Sequence, residues 1–196
     1  SERAVDALAV LFLKPSDKTI SRYNKLGIPL VLIENDAPGL HSVNVDNFKS
    51  SYKAVDYLCK YKREFVGLIR GQTAGEEVGF VPLEREKAYK TALKDNRIPY
   101  RPNLVIDVKH HTMKEGEEAL GKLLSIQPKL DAIFCAAGDL VAAGVLKEAR
   151  TRRIKVPQEL AVIGYDDQIF APLIEPALTT VRQPVVQMGE AAFEIC

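Results

Sequence analysis

Six short runs of apolar residues set the terms for this chain. They fall at residues 7–13, 30–33, 65–69, 104–108, 132–135 and 160–164, and they are rich in Val, Ile and Leu without regular polar alternation. A strand with one wet face alternates apolar and polar residues, so a continuous run marks a strand covered on both faces, as in a parallel sheet. Helical patterns lie between the runs. After Asn47, the residues Phe48, Tyr52, Val55 and Cys59 share one face at helical spacing, with Lys49, Lys53 and Lys60 left for water. The same spacing predicts helices over 84–94, 114–125, 140–152 and 188–195.

Proline supports the alternation. Gly27-Ile28-Pro29, Arg97-Ile98-Pro99, Gln127-Pro128 and Val156-Pro157 each stand just before an expected strand, where proline stops the helical hydrogen-bond ladder. The expected order is βαβα throughout, and right-handed crossovers then build open, doubly wound, mainly parallel sheets with helices on both faces. The length of 196 residues suits one large lobe or two small ones. The chain opens on a buried-looking strand and stops within the helical pattern 188–195, so a longer parent chain is expected.

Composition removes several classes of function. Lys plus Arg is 27 and Asp plus Glu is 26, a net charge of +1, far from the basic excess of a nucleic-acid surface. The run 7–13 is shorter than the roughly 20 residues of a membrane span and leads into Lys14-Pro15, so no membrane partner is expected. The three cysteines Cys59, Cys135 and Cys196 show no metal spacing, and they read as reduced and mostly structural. No Asn-x-Ser/Thr sequon occurs, which agrees with a cytoplasmic setting.

In open α/β sheets, ligands bind outside the carboxyl ends of the strands. The run 160–164 leads into Tyr165-Asp166-Asp167, 132–135 into Ala136-Ala137-Gly138-Asp139, 65–69 into Arg70-Gly71-Gln72 and a long loop reaching Arg85, and 104–108 into Lys109-His110-His111. Carboxylates, a guanidinium and imidazoles are thereby expected on one rim, a set that suits a polyhydroxylated or carbonyl-bearing small ligand. The plainer readings stand beside this one. Asp139 before Leu140 fits a helix N-cap, Asp167 a turn, the tyrosines and phenylalanines core, and His110 and His111 an exposed loop. Adjacent histidines on a strand point to opposite faces and cannot share a metal. The common nucleophile-elbow, phosphate-loop, zinc-helix and dinucleotide motifs are absent, so no catalytic residue, cofactor or metal site is expected.

The segments 132–144, 155–167 and 176–184, with Val43-Asn44-Val45-Asp46-Asn47 and Arg85-Glu86-Lys87-Ala88-Tyr89, stand in an order and spacing that resembles the effector-binding core of the LacI/GalR transcription regulators. That resemblance implies a two-lobed, periplasmic-binding-protein-like α/β fold. Residues 1–61 would be part of a first lobe, incomplete in this chain, 62–180 most of the second, and 181–196 the return to the first. It implies a sugar-like effector held by Arg85 and Asp166, with His111 near a strand-end ligand position. Gly138 stands where the family often has Asn. A homodimer that reads operator DNA through a helix-turn-helix outside this chain is implied as well. A solute-binding protein or receptor sensor domain for a sugar-like ligand is the alternative with the same fold, and a hydrolase using the same rim is a further rival.

Overall fold

The computed structural model describes residues 5–73 and 79–196. Among them the order is β1 (Leu8–Leu11), α1 (Asp17–Lys25), β2 (Leu30–Ile33), β3 (His41–Val43), α2 (Asn47–Lys60), β4 (Val66–Gly71), α3 (Val81–Asp95), β5 (Val105–Val108), α4 (Met113–Ile126), β6 (Ala132–Cys135), α5 (Asp139–Thr151), β7 (Ala161–Asp166), β8 (Thr179–Arg182) and α6 (Val185–Ile195). The chain forms two compact units. One takes the described residues of 1–46, 73–81 and 184–196, the other those of 47–72 and 82–183. Helix α2, grouped with the first segment on the sequence reading, thus lies in the second unit.

In the first unit β1, β2 and β3 form a parallel sheet in that order, and α6 packs on β2 and β3. In the second, five parallel strands run β5-β4-β6-β7-β8. Counted from its own first strand this is the doubly wound order 2-1-3-4-5. On one face Val55, Leu58, Tyr89 and Leu93 of α2 and α3 meet Leu68, Phe134 and Ile163; on the other Leu120, Leu123, Val141 and Val145 of α4 and α5 meet Ile69, Ile133 and Val162. Burial on both faces is why these strands carry no alternation. The strict βα alternation fails twice: residues 34–40 alone join β2 to β3, and only a 3-10 turn at Ala171–Leu173 lies between β7 and β8.

Three elements had no apolar run to mark them. Helix α1 buries none of its residues and is started by Ser16, whose hydroxyl accepts from the Thr19 amide at 3.2 Å. The strands β3 and β8 are edge strands of mixed, half-exposed residues. The helix stops also come earlier than proline alone demands. Gly27, Lys62, Arg97 and Arg153 adopt φ between 59° and 62°. The next amide then closes a long bond back to the helix: Ile28 to Tyr23 at 3.1 Å, Arg63 to Leu58 at 3.3 Å, Ile98 to Leu93 at 2.9 Å and Ile154 to Ala149 at 2.9 Å. This is the left-handed cap that satisfies the last carbonyls of a helix.

Helices α4 and α5 approach backbone to backbone. A Cβ on Gly116 would lie 2.0 Å from the Val141 carbonyl oxygen, and one on Gly144 1.9 Å from that of Met113. Gly116→Ala or Gly144→Ala should therefore each lower stability by about 3 kcal/mol in denaturant titration, through forced separation of the pair. Gly189→Ala on α6, where nothing lies within 4 Å, should leave the fold intact or raise its stability.

The start of α4 supplies a pH-dependent element. Thr112 and Glu115 form a reciprocal capping box, and the Glu115 carboxylate also accepts the amides of Lys109 at 2.7 Å and His110 at 3.0 Å. Bonds from the Thr112, His110 and Lys109 amides, opposed by partial burial, hold this carboxyl down at about 2 against an ordinary 4.5. A depressed folded-state pKa stabilises the fold above the unfolded value, and this stabilisation is lost as pH falls toward the folded one. Glu115→Ala should therefore destabilise by about 1 kcal/mol at pH 7. The gap from the unsubstituted chain should narrow as denaturant midpoints are followed from pH 5 downward.

Candidate functional site

Because the strands of the second unit are all parallel, their carboxyl ends share one rim, and strand order decides who neighbours whom. Along it stand His111 beyond β5, Gly71 closing β4, Ala136, Ala137 and Gly138 beyond β6, Asp166 closing β7 and Gln183 beyond β8. The winding reverses between β4 and β6, the place where such sheets open a crevice.

Arg85, in the second turn of α3, lies over that place and is only 6% exposed. Its Nε donates to Asn47 Oδ1 at 2.9 Å and its Nη1 to the Ala136 carbonyl at 2.6 Å. The guanidinium carbon stands 3.5 Å from the centre of the Tyr165 ring. Tyr165 is fully buried, and its hydroxyl lies 2.6 Å from Ser50 Oγ and donates to Asn47 Oδ1 at 3.2 Å. A buried cation is tolerable only with acceptors and polarisable surface around it, and here two oxygens and an aromatic face provide them.

Asp166 ends β7 with φ 107°. Its Oδ1 accepts from Gln183 Nε2 at 2.7 Å, while Oδ2 faces position 138, where an added Cβ would stand 2.9 Å away. Burial raises its carboxyl above the ordinary range; the Gln183 bond and the charges of Arg85 and His111 pull it back, and Asp139 pushes it further up. Gly138, at φ 110° and ψ 167°, occupies a region that only glycine adopts without strain. What it contributes is room beside Asp166. His111, itself at φ 54°, sets Nδ1 2.9 Å from the Ala137 carbonyl. A carbonyl only accepts, so Nδ1 is the donor of this bond. Arg85, Asp166, His111 and Gly138 thus converge on the single segment 136–138. Left-handed backbone at His111, Asp166 and Asp167 concentrates there too, as strain commonly does at working sites.

Two neighbouring acids behave differently from each other. Asp139 is not the N-cap expected for α5, since Gly138 holds that position. The Asp139 side chain turns inward, fully buried, and accepts from Thr180 Oγ1 at 2.6 Å and the Gln168 amide at 2.8 Å. It ties β8 and the loop after β7 to the start of α5, and burial raises its carboxyl. Asp167 is a turn residue with φ 56°, its amide on Thr180 Oγ1 at 3.3 Å and its carboxylate on Arg182. Arg70, also at the rim, is tied to Glu86 and Asp107.

Sequence reasoning passed over Asn47, Ser50, Tyr165 and Gln183. Each sits at or next to a strand carboxyl end or helix start, which is the one signal that could have flagged them. The middle of the loop between Gly71 and Arg85, residues 74–78, lies outside the described residues. A separate cavity of about 240 Å³ opens among Tyr57, Tyr61, Arg63, Pro157 and Thr179 near the amino ends of β7 and β8, away from this cluster. Among the described residues no group of three His, Cys, Asp or Glu could hold a metal, and no helix is long and apolar enough to cross a membrane.

A family model described as periplasmic binding protein-like domain matches residues 55–196. The HTH-type transcriptional regulator DegA of Bacillus subtilis is 34% identical over 166 residues, covering 83% of this chain and 47% of that protein. The HTH-type transcriptional repressor PurR of Yersinia pestis is 30% identical over 197 residues, covering 98% and 56%. The chain therefore spans about half the length of these curated relatives. A solved complex of the transcriptional regulator CelR with cellobiose superposes with a TM-score of 0.86 at 28% identity, covering 98% of this chain and 58% of that one. A sugar-binding LacI-family regulator from Escherichia coli, complexed with phosphate, does so at 0.82 and 26%, covering 97% and 67%. The parallel two-unit α/β architecture and the match over residues 55–196 agree, and the chain belongs to the periplasmic binding protein-like domain family, where its relatives include LacI-family regulators.

Proposed function

We propose that this chain is the effector-sensing and dimerisation domain of a LacI-type transcriptional regulator, acting in the cytoplasm by binding rather than by turnover. The observation that carries the reading is the convergence of the Arg85 guanidinium, the Asp166 carboxylate and the His111 ring on the segment 136–138 at the switch point of the sheet. Arg85 and Asp166 bear the effector, His111 flanks it, and Gly138 leaves the space beside Asp166. A carboxylate that accepts from neighbouring hydroxyls, set beside a cationic donor, selects a polyhydroxylated ligand of the sugar class. The cellobiose seen with CelR supports that class.

Operator DNA is read by a helix-turn-helix outside this chain, in a homodimer whose two heads meet half-sites about 34 Å apart or a multiple of that. The effector controls DNA binding only to the extent that it binds one conformation of the regulator better than the other. A solute-binding protein shares the fold, but DegA and PurR, which align with this chain, are transcriptional regulators, and the regulator reading is preferred for that reason.

The test is calorimetric titration of the full-length gene product with pentoses, hexoses, their phosphates, cellobiose and nucleobases. One sugar-class compound is expected to bind, and Asp166→Ala should reduce that affinity at least tenfold with an unchanged circular dichroism spectrum. Unchanged affinity in this variant removes Asp166 from the site. Conversion of any of these compounds would overturn the binding-only reading.

A further inference from the structure

We infer that Gln183 and Asn47 are positioning residues that tie the ligand-facing carboxylate and guanidinium to the points where the chain leaves one compact unit for the other. The inference rests on the effector reading of Arg85 and Asp166 and adds to it the route by which their occupancy is felt.

The placement carries it. The chain passes between units after residues 46, 72, 81 and 183. Asn47 is the first residue past one crossing and Gln183 the last before another, and both side chains are buried, at 2% and 7% exposure. Each is spent on a candidate ligand group: Asn47 Oδ1 accepts from Arg85 Nε at 2.9 Å, and Gln183 Nε2 donates to Asp166 Oδ1 at 2.7 Å. The two remaining crossings flank Gly71 and Pro82. A Cβ on Gly71 would stand 3.1 Å from the His111 ring and 3.7 Å from Pro82. Three of the four crossings thus lie at or within two residues of one bonded to, or packed against, Arg85, Asp166 or His111, and the fourth precedes Pro82, which stands beside Gly71. A ligand that draws on the Asp166 carboxylate competes with or reinforces the bond from Gln183, and one that draws on Arg85 does the same at Asn47. Either event changes how firmly a crossing is held. Burial alone does not account for the pairing, because a buried amide can be satisfied by any backbone group.

Amide hydrogen exchange on the ligand-free, full-length protein tests this without an identified effector. Gln183→Ala should speed exchange at Met188, whose amide donates to the Pro184 carbonyl at 2.9 Å, about tenfold, the loss of one bond to a charged group. Asp166→Ala should do the same, and the double variant should add nothing. Asn47→Ala should speed exchange at residues 46–49 in the same way, and Asn47→Asp, which keeps an acceptor for Arg85, should not.

Gln183→Glu supplies a readout that a purely structural amide would not move. At pH 8 two carboxylates meet, with Arg85, His111 and Asp139 as the other charged or titratable groups bearing on Asp166, and the crossing should loosen. At pH 5 a shared proton should restore protection, after correction for intrinsic exchange rates. Wild-type exchange at Met188 in Gln183→Ala, equal acceleration in helix α4, or no recovery of the Glu variant at pH 5 would each overturn the proposal. Titration of the wild type with cellobiose and the other sugars forms a separate arm. Crossings tied as described in a protein that binds none of them would count against the effector reading and leave the tether standing.

Discussion

The buried guanidinium of Arg85 is the contact on which the rim depends. It joins the start of α3 to the carboxyl end of β6 through the Ala136 carbonyl, to the start of α2 through Asn47, and to the end of β7 through the face of Tyr165. One planar cation on α3 thus ties together α2, β7 and the segment after β6. The arrangement works because the guanidinium offers several donors in one plane while its faces remain apolar enough to lie on an aromatic ring. A lysine could satisfy the charge but not the geometry.

Around that cation the unit holds two carboxyls with different duties, Asp139 fully buried and Asp166 half-buried. Asp139 is fully enclosed and bonded to Thr180 and to the Gln168 amide, so its charge is spent on holding the loop after β7. Asp166 has one oxygen on Gln183 and the other facing the space left by Gly138. Burial raises both carboxyls. Burying acids costs stability at neutral pH, and the left-handed backbone at Asp166 and Asp167 adds to that cost. The unit is better described as organised for its rim than for maximal stability, with the close approach of α4 to α5 and the two-faced core supplying the firmness behind it.

The strand runs, the helices after Asn47 and from Glu84 to Arg152, and the side of the sheet that carries polar groups were all legible in the letters. Periodicity and strand-end position are local properties, so six strands and five helices announced themselves. Helix α1 did not, because it buries nothing and so shows no stripe. The strands β3 and β8 did not, because an edge strand needs no unbroken apolar run. Asp139 reads in the sequence as a cap because a short acid before a helix usually is one; only the packing of β8 against β7 brings Thr180 within reach and turns the side chain inward.

What the sequence determined by itself was therefore the fold class and the short list of polar groups at strand ends, since both follow from the residue pattern along the chain. Which of those groups meet was decided by tertiary structure. The order β5-β4-β6-β7-β8 sets residues far apart in sequence side by side on one rim, and hydrogen bonds between Arg85 and Asn47, or Gln183 and Asp166, join positions 38 and 17 residues apart. No local rule contains such pairings, because they arise only once parallel strands have chosen their neighbours.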